Sequence, residues 1–171
     1  MKCLIIDKVY AGIAEELSKY MEVKTAENLP STKDQLLAEI GDVDVLIMRV
    51  DPKIDQEIID AAKNLKVIGV CSVGLNHIDM DYAKSKGIPV QNVPVYGTDN
   101  VSQFAVSLLM EVCSHIGHHS DSVYAGEWAE NADWCYWHYP MIEVSGKTAG
   151  IIGLGRIGVN TAKILKAMNV N

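Results

Sequence analysis

Residues 153–158 read GLGRIG, with Gly153, Gly155 and Gly158 in the pattern G-x-G-x-x-G. The motif follows the apolar run TAGII and opens a stretch in which Ile157, Ala162, Ile164 and Leu165 recur at helical spacing. Strand, glycine turn and helix in that order form the setting a dinucleotide-binding fingerprint requires. The first glycine allows a tight turn, the second lets the backbone approach a pyrophosphate, and the third permits close packing of helix on strand. Amides at the helix start then face the phosphates. A plain glycine-rich turn is the other reading. The fingerprint's acidic partner for the ribose belongs about twenty residues on, and counting from Gly153 reaches Asn171.

The histidines offer a second chemistry. His115, His118 and His119 stand at helical spacing, and imidazoles sharing a face can hold a metal. The simpler reading places them at a helix C-terminus, where partial positive charge suits the helix dipole, and no metal site is expected. His77 either touches a ligand or begins the next helix, and His138 reads as packing or interface. Cys3, Cys71, Cys113 and Cys135 are far apart with no CxxC pair. Buried reduced thiols fit better than a disulfide framework or a zinc site, which points to the cytoplasm.

The elements that must position these groups alternate along the first hundred residues. CLIID (3–7), VKTAE (23–27), DVLIMRV (44–50), LKVIGVCSVG (65–74) and IPVQN (88–92) read as strands. Between them fall a helix with Ile13, Leu17 and Tyr20 on one face and a helix capped by Ser31 with Asp34. A third helix is capped by Asp55 and buries Ile58, Ile59 and Ala62, and a short fourth begins at His77 and stops at Gly87. Near-continuous apolar strands alternating with helices imply a parallel sheet covered on both faces. The strand ending in Ser72, Val73 and Gly74 exposes unpaired amides suited to an anion, with a turn that holds no ligand as the alternative. From Val101 the texture changes: Val101, Phe104, Ala105, Leu108, Leu109, Val112, Cys113 and Ile116 predict a long helix, with Thr98, Asp99 and Asn100 as caps. Residues 126–140 then hold all three tryptophans without any period.

Composition narrows the classes. The 171 residues are 49% hydrophobic and 22% charged, ordinary values for a globular chain of one domain or two small ones. A net charge of -7 with no basic stripe argues against nucleic acid and against anionic lipid. No apolar run approaches the ~20 residues that span a bilayer, and the run that ends at Asp7 is too short for a signal peptide.

Two blocks, VIGVCSVGLNHIDMDYAKSKGIPVQNVPVYGTDNVSQFAVSLLMEVC and SGKTAGIIGLGRIG, together with the elements around them, resemble the D-isomer-specific 2-hydroxyacid dehydrogenases over the entire chain. The small-x-G loop, the Ile-Asp after it, the G-I-x-V-x-N strand and the capped long helix match in order and spacing. The aromatic stretch WAENADWCYWHYPMIEVSGK is similar to the glycerate dehydrogenase (hydroxypyruvate reductase) branch. The resemblance implies an α/β fold, with a flavodoxin-like parallel-sheet substrate domain over residues 1–97 that lacks its C-terminal return helix. Residues 98–171 would form the truncated start of a Rossmann domain: its first helix, a dimer-type loop and the first βα unit of the NAD(P)-binding fold. The active site would lie in the cleft between them.

Carried over by residue, the resemblance places Val73 and Gly74 on the substrate-carboxylate loop, with Val73 also near the nicotinamide. Tyr96 and Thr98 fall on a second loop, Tyr96 toward substrate or into interdomain packing and Thr98 toward cofactor. Gly153, Gly155, Arg156, Ile157 and Gly158 fall on the pyrophosphate loop. The family's catalytic Arg, Glu and His belong to a C-terminal half, and none of the five histidines here corresponds to the catalytic one. The expectation is therefore the N-terminal part of an NAD- or NADP-dependent oxidoreductase for a small D-2-hydroxy or 2-keto acid. As a truncated chain it would be inactive, bind NAD(P) weakly or not at all, and form a homodimer. The competing reading is a non-catalytic module that only self-associates or binds a partner. A receiver or flavin domain would explain the first hundred residues but not GLGRIG.

Overall fold

Short apolar runs bounded by turn residues become strands when both faces can be covered. In the computed structural model, which describes residues 1–6, 12–25 and 32–171, they do so in alternation with helices. Strand β1 (Lys2–Ile5), helix α1 (Gly12–Ser18), β2 (Glu22–Thr25), α2 (Lys33–Glu39), β3 (Val45–Met48), α3 (Gln56–Ala61), β4 (Val67–Val70), α4 (Met80–Ser85) and β5 (Val90–Asn92) follow in order. All strand pairs are parallel, and the sheet runs β2-β1-β3-β4-β5. This is the flavodoxin-like order, in which ligands meet the carboxyl ends of the strands. Consecutive residues Cys3, Leu4 and Ile5 are all buried, so β1 is covered on both faces. Leu46, Met48 and Ile68 join Leu36, Ile40, Ile54 and Ile58 in one core.

Capping fixes where the helices begin. Asp55 accepts from the Ile58 amide at 3.2 Å, as the sequence implies, and Asp79 does the same for Tyr82 at 3.0 Å. Helix α2 differs from expectation. Its cap is Thr32, whose hydroxyl accepts from Gln35 while the Gln35 side chain returns to the Thr32 amide. Asp34 is one residue short of the third helical position and cannot close that reciprocal pair. The expected cap Ser31 lies outside the described residues, as do Asp7, the end of the first predicted strand, and Ala26 and Glu27 of the second. Helix α4 begins at Met80 and not at His77, because residues 77–79 are bonded to the Ile54 backbone: Ile54 donates to His77 at 2.8 Å and accepts from Asp79 at 2.9 Å. Tyr20, expected on a buried face, is exposed.

The chain divides into two compact units, Met1–Tyr96 and Gly97–Asn171. The second holds α5 (Thr98–Ser114), α6 (Ile116–Tyr124), α7 (Glu127–Glu130) and α8 (Arg156–Ala167). Gly97 caps α5 with no side-chain bond, so Thr98, Asp99 and Asn100 lie within its first turn and do not cap it. The helix ends at His115, whose left-handed backbone (φ 49°) separates it from α6. Ile116, His118 and His119 therefore open α6, and the three histidines do not share a helix C-terminus. The face of α5 that packs inward carries Ser102, Val106 and Cys113. Val101, Phe104, Leu108, Leu109 and Val112, whose spacing predicts this helix, are exposed. Ser102 sets this rotation: fully buried, its hydroxyl lies 2.6 Å from the Thr98 carbonyl and 3.2 Å from that of Ile157 in α8.

Asp55 also accepts from Lys33 Nζ at 2.6 Å, and that bond, first, holds its carboxyl below the usual carboxylate range. A lowered folded pKa stabilises above the unfolded value and loses that contribution as pH falls through the folded one. Asp55→Ala should cost about 1 kcal/mol near neutral pH. In urea melts followed by circular dichroism, the gap between variant and wild type should close on acidification.

Candidate functional site: two loops of open amides

The first loop leaves the carboxyl end of β4. Its carbonyls are all engaged. Ser72 accepts from the Val93 amide at 3.1 Å, Val73 from Asn92 Nδ2 at 2.7 Å, Gly74 from the Ser72 hydroxyl at 3.1 Å, and Leu75 from the Ile78 amide at 3.0 Å. The amides of residues 73–76, by contrast, donate to no acceptor among the described residues. Val73 is 44% exposed and Gly74 is open to solvent. Successive amides freed in this way make a concavity for an anion. The sequence suggested these amides but missed the two side chains that organise them, Ser72 and Asn92. The trace was there for Asn92, a polar residue closing the apolar run IPVQN.

His77 follows on the same loop and is 8% exposed. Burial pushes its pKa below the ordinary value, opposed by the Asp51 carboxylate and by a hydrogen bond to the Arg49 backbone. Its Nε2 has no partner among the described residues. Tyr96, the last residue of the first unit, is exposed, and Thr98, at the start of α5, is half-buried.

The second loop lies in the second unit. Asn171 donates to the Lys147 carbonyl at 2.7 Å while accepting from Ala149 at 2.8 Å. That is the first step of a parallel ladder. With a single residue opposite it, the predicted strand TAGII does not form a strand among the described residues. The glycines nevertheless stand between this segment and the start of α8. Gly153 has φ +93°, a conformation side chains rarely adopt. A Cβ on Gly158 would overlap the Gly153 carbonyl oxygen, whereas one on Gly155 would meet nothing. Gly155 caps α8 without a side-chain bond, and no acidic residue occupies the first turn, where Arg156, Ile157 and Gly158 sit. An uncapped helix start without negative charge fits an anionic group such as a pyrophosphate.

The remaining candidates form no metal site. Among the described residues no three His, Cys, Asp or Glu side chains are placed to hold an ion. His118 stacks edge-on against His138 and Tyr139 with centroids 4.8 and 4.9 Å apart, and His138 Nε2 meets Glu127 at 2.7 Å. The aromatic loop thus packs on α6. All four cysteines are free, but only Cys3 and Cys113 are buried; burial pushes the Cys3 thiol up to about 11. Cys71 and Cys135 are partly exposed, which corrects the expectation of four buried thiols. No described helix is long and apolar enough to cross a membrane.

Residues 3–171 match the model of the D-isomer specific 2-hydroxyacid dehydrogenase catalytic domain, and the chain belongs to that family. It is 45% identical to a hydroxypyruvate reductase from Blautia hydrogenotrophica over 137 residues, 80% of this chain and 42% of the relative. A glyoxylate reductase from Thermofilum pendens is 40% identical over 148 residues, 86% of this chain and 43% of that one. Among solved structures, an NADPH-dependent glyoxylate/hydroxypyruvate reductase from Sinorhizobium meliloti, in complex with citrate, superposes with a TM-score of 0.80 at 25% identity. That match covers 99% of this chain and 52% of the other. The chain spans about half the length of the relatives it matches.

Because the Gly158 position has no room, Gly158→Ala should displace α8 from the Gly153 turn and cost about 1–3 kcal/mol. Amide exchange in α8 reports it: faster exchange there than in β1 and β3 is expected, and unchanged protection would contradict the packing.

Proposed function

We propose that this chain supplies the substrate-anion loop and the pyrophosphate loop of an NAD(P)-dependent oxidoreductase acting on small 2-keto and D-2-hydroxy acids of the glyoxylate/hydroxypyruvate (glycerate) kind. The observation that carries the reading is the run of open amides at residues 73–76 behind carbonyls that are all engaged. A substrate carboxylate needs several convergent donors and no competing acceptor, and the Val73 and Gly74 amides offer that. Tyr96 is proposed to line the substrate region. Gly153, Gly155, Arg156, Ile157 and Gly158 are proposed to hold the cofactor's pyrophosphate, with Val73 and Thr98 as further cofactor contacts. NAD or NADP, when bound, supplies hydride chemistry. The chain's own residues bind and orient.

None of these site residues is a carboxylate or an imidazole able to move a proton to the reacting carbonyl. None of them is acidic, so none offers the cofactor's ribose a carboxylate. We therefore propose that the 171-residue chain by itself binds the substrate anion, binds NAD(P) weakly, and does not turn over. Family membership and the names of the relatives favour this over a module without a ligand.

Titrating the 15N-labelled chain with glyoxylate should shift the Val73 and Gly74 amides first. No shift there would sink the reading. With hydroxypyruvate and NADH, oxidation should stay at the protein-free rate, and calorimetry giving a micromolar dissociation constant for NADH would contradict weak cofactor binding.

Self-association is the proposed quaternary state. Phe104, Leu108 and Val112 on α5 are exposed, as are Trp128 on α7 and Trp134 and Trp137 after it, and contiguous exposed apolar surface favours a partner. Light scattering at micromolar concentration should give the mass of a dimer; a compact monomer would contradict it.

A further inference from the structure

Two neighbouring amides can meet one ligand only if the carbonyls behind them are turned the same way. In a trans peptide unit the C=O and the following N–H lie on opposite sides, so the direction of one fixes the other. Along an extended strand successive carbonyls alternate in direction, and their amides alternate with them. The loop after β4 departs from that rule at Val73. The Ser72 carbonyl is drawn to the end of β5 by the Val93 amide at 3.1 Å, which continues the parallel ladder past the pair of Val70 and Asn92. The next carbonyl, that of Val73, is drawn to the same strand end, and there the donor is a side chain, Asn92 Nδ2 at 2.7 Å. A carbonyl only accepts, so the Asn92 atom facing it is the amide nitrogen. With both carbonyls held toward β5, the Val73 and Gly74 amides leave the loop on the other side as a pair of donors.

Glycine leaves the second of these orientations open to change. Turning over the peptide between Val73 and Gly74 rotates the Gly74 φ by about half a turn. Gly74 is not at positive φ here. The turned-over form would take it there, a region open to glycine and strained for other residues. In that form the Val73 carbonyl, and not the Gly74 amide, would face a bound carboxylate. We propose that Asn92 is a positioning residue for substrate binding: its side-chain amide holds the Val73 carbonyl toward β5 and so keeps the Gly74 amide beside that of Val73, turned to the carboxylate. The inference rests on the proposed function of that loop. Asn92 touches no substrate in this role, and its effect passes through one peptide plane.

The experiment titrates the 171-residue chain with glyoxylate, beside Asn92→Leu and a double variant that adds Gly74→Ala to it, reading the amides of residues 73 and 74. Asn92→Leu keeps the bulk of the side chain and removes its donor. It should weaken binding about tenfold, the loss of one hydrogen bond to a charged group. The glyoxylate shift should persist at the Val73 amide, whose direction the Val93 backbone sets, and shrink at the Gly74 amide. Alanine at 74 disfavours the turned-over peptide, and its Cβ would meet only the Asn76 side chain, at 3.1 Å. The double variant should therefore bind glyoxylate more tightly than Asn92→Leu alone, a rescue that a merely structural asparagine would not give. Equal affinity and equal Gly74 shifts in wild type and Asn92→Leu overturn the role of Asn92 while leaving the loop's function standing. Loss of both shifts in Asn92→Leu with no recovery in the double variant overturns it as well. Absence of any glyoxylate shift in the wild-type chain overturns both readings. If Asn92→Leu does not fold, the wild-type chain decides: a scalar coupling across the hydrogen bond from Asn92 Nδ2 to the Val73 carbonyl carbon, kept when glyoxylate binds, supports the role, and its loss on binding removes it.

Discussion

The constraint on which the first site depends is the allocation of backbone polar groups at the carboxyl edge of a parallel sheet. Every carbonyl from residue 72 to 75 is consumed by a donor of the protein, from Val93, Asn92, Ser72 and Ile78. The amides alternate with these carbonyls along the chain, so pinning one set inward turns the other outward. A loop of small residues with outward amides is a weak positive concavity, even in a chain whose net charge is -7. The proposed selectivity for an anion is thus a local one, independent of the net charge.

The second loop is organised by another route. There the donors come from a helix start, and the constraint is steric. Gly158 lies so close to the Gly153 carbonyl that no side chain fits, and this contact brings the turn and α8 together. Ser102 ties α5 to the same helix through the Ile157 carbonyl, and Asn160 donates to Asp99 at 3.0 Å. One part-buried and one exposed polar bond thus join α5 to α8.

That contrast explains what could be read from the sequence. Runs such as DVLIMRV and LKVIGVCSVG are apolar on both faces and had one plausible fate, a central parallel strand. Asp55 before an apolar helix was equally direct. The glycine pattern was legible because each glycine answers a separate backbone demand, and the structure shows two of those demands at Gly153 and Gly158. Periodicity located α5, but not its inward face, which carries Ser102, Val106 and Cys113. It overran the end at His115, where a left-handed residue ends a helix that the pattern carried through to Ile116. The roles of Ser72 and Asn92 are invisible in one dimension because they reach partners beside neighbouring strands, 23 residues away for Ser72 and Arg49 and 19 for Asn92 and Val73.

The most direct measurement is a crystal structure of the chain soaked with oxalate or glyoxylate. The account predicts a carboxylate within hydrogen-bond distance of the Val73 and Gly74 nitrogens, with the Ser72, Val73 and Gly74 carbonyls keeping their internal donors. A carboxylate bound elsewhere, or a loop whose amides turn inward to protein acceptors, would contradict it.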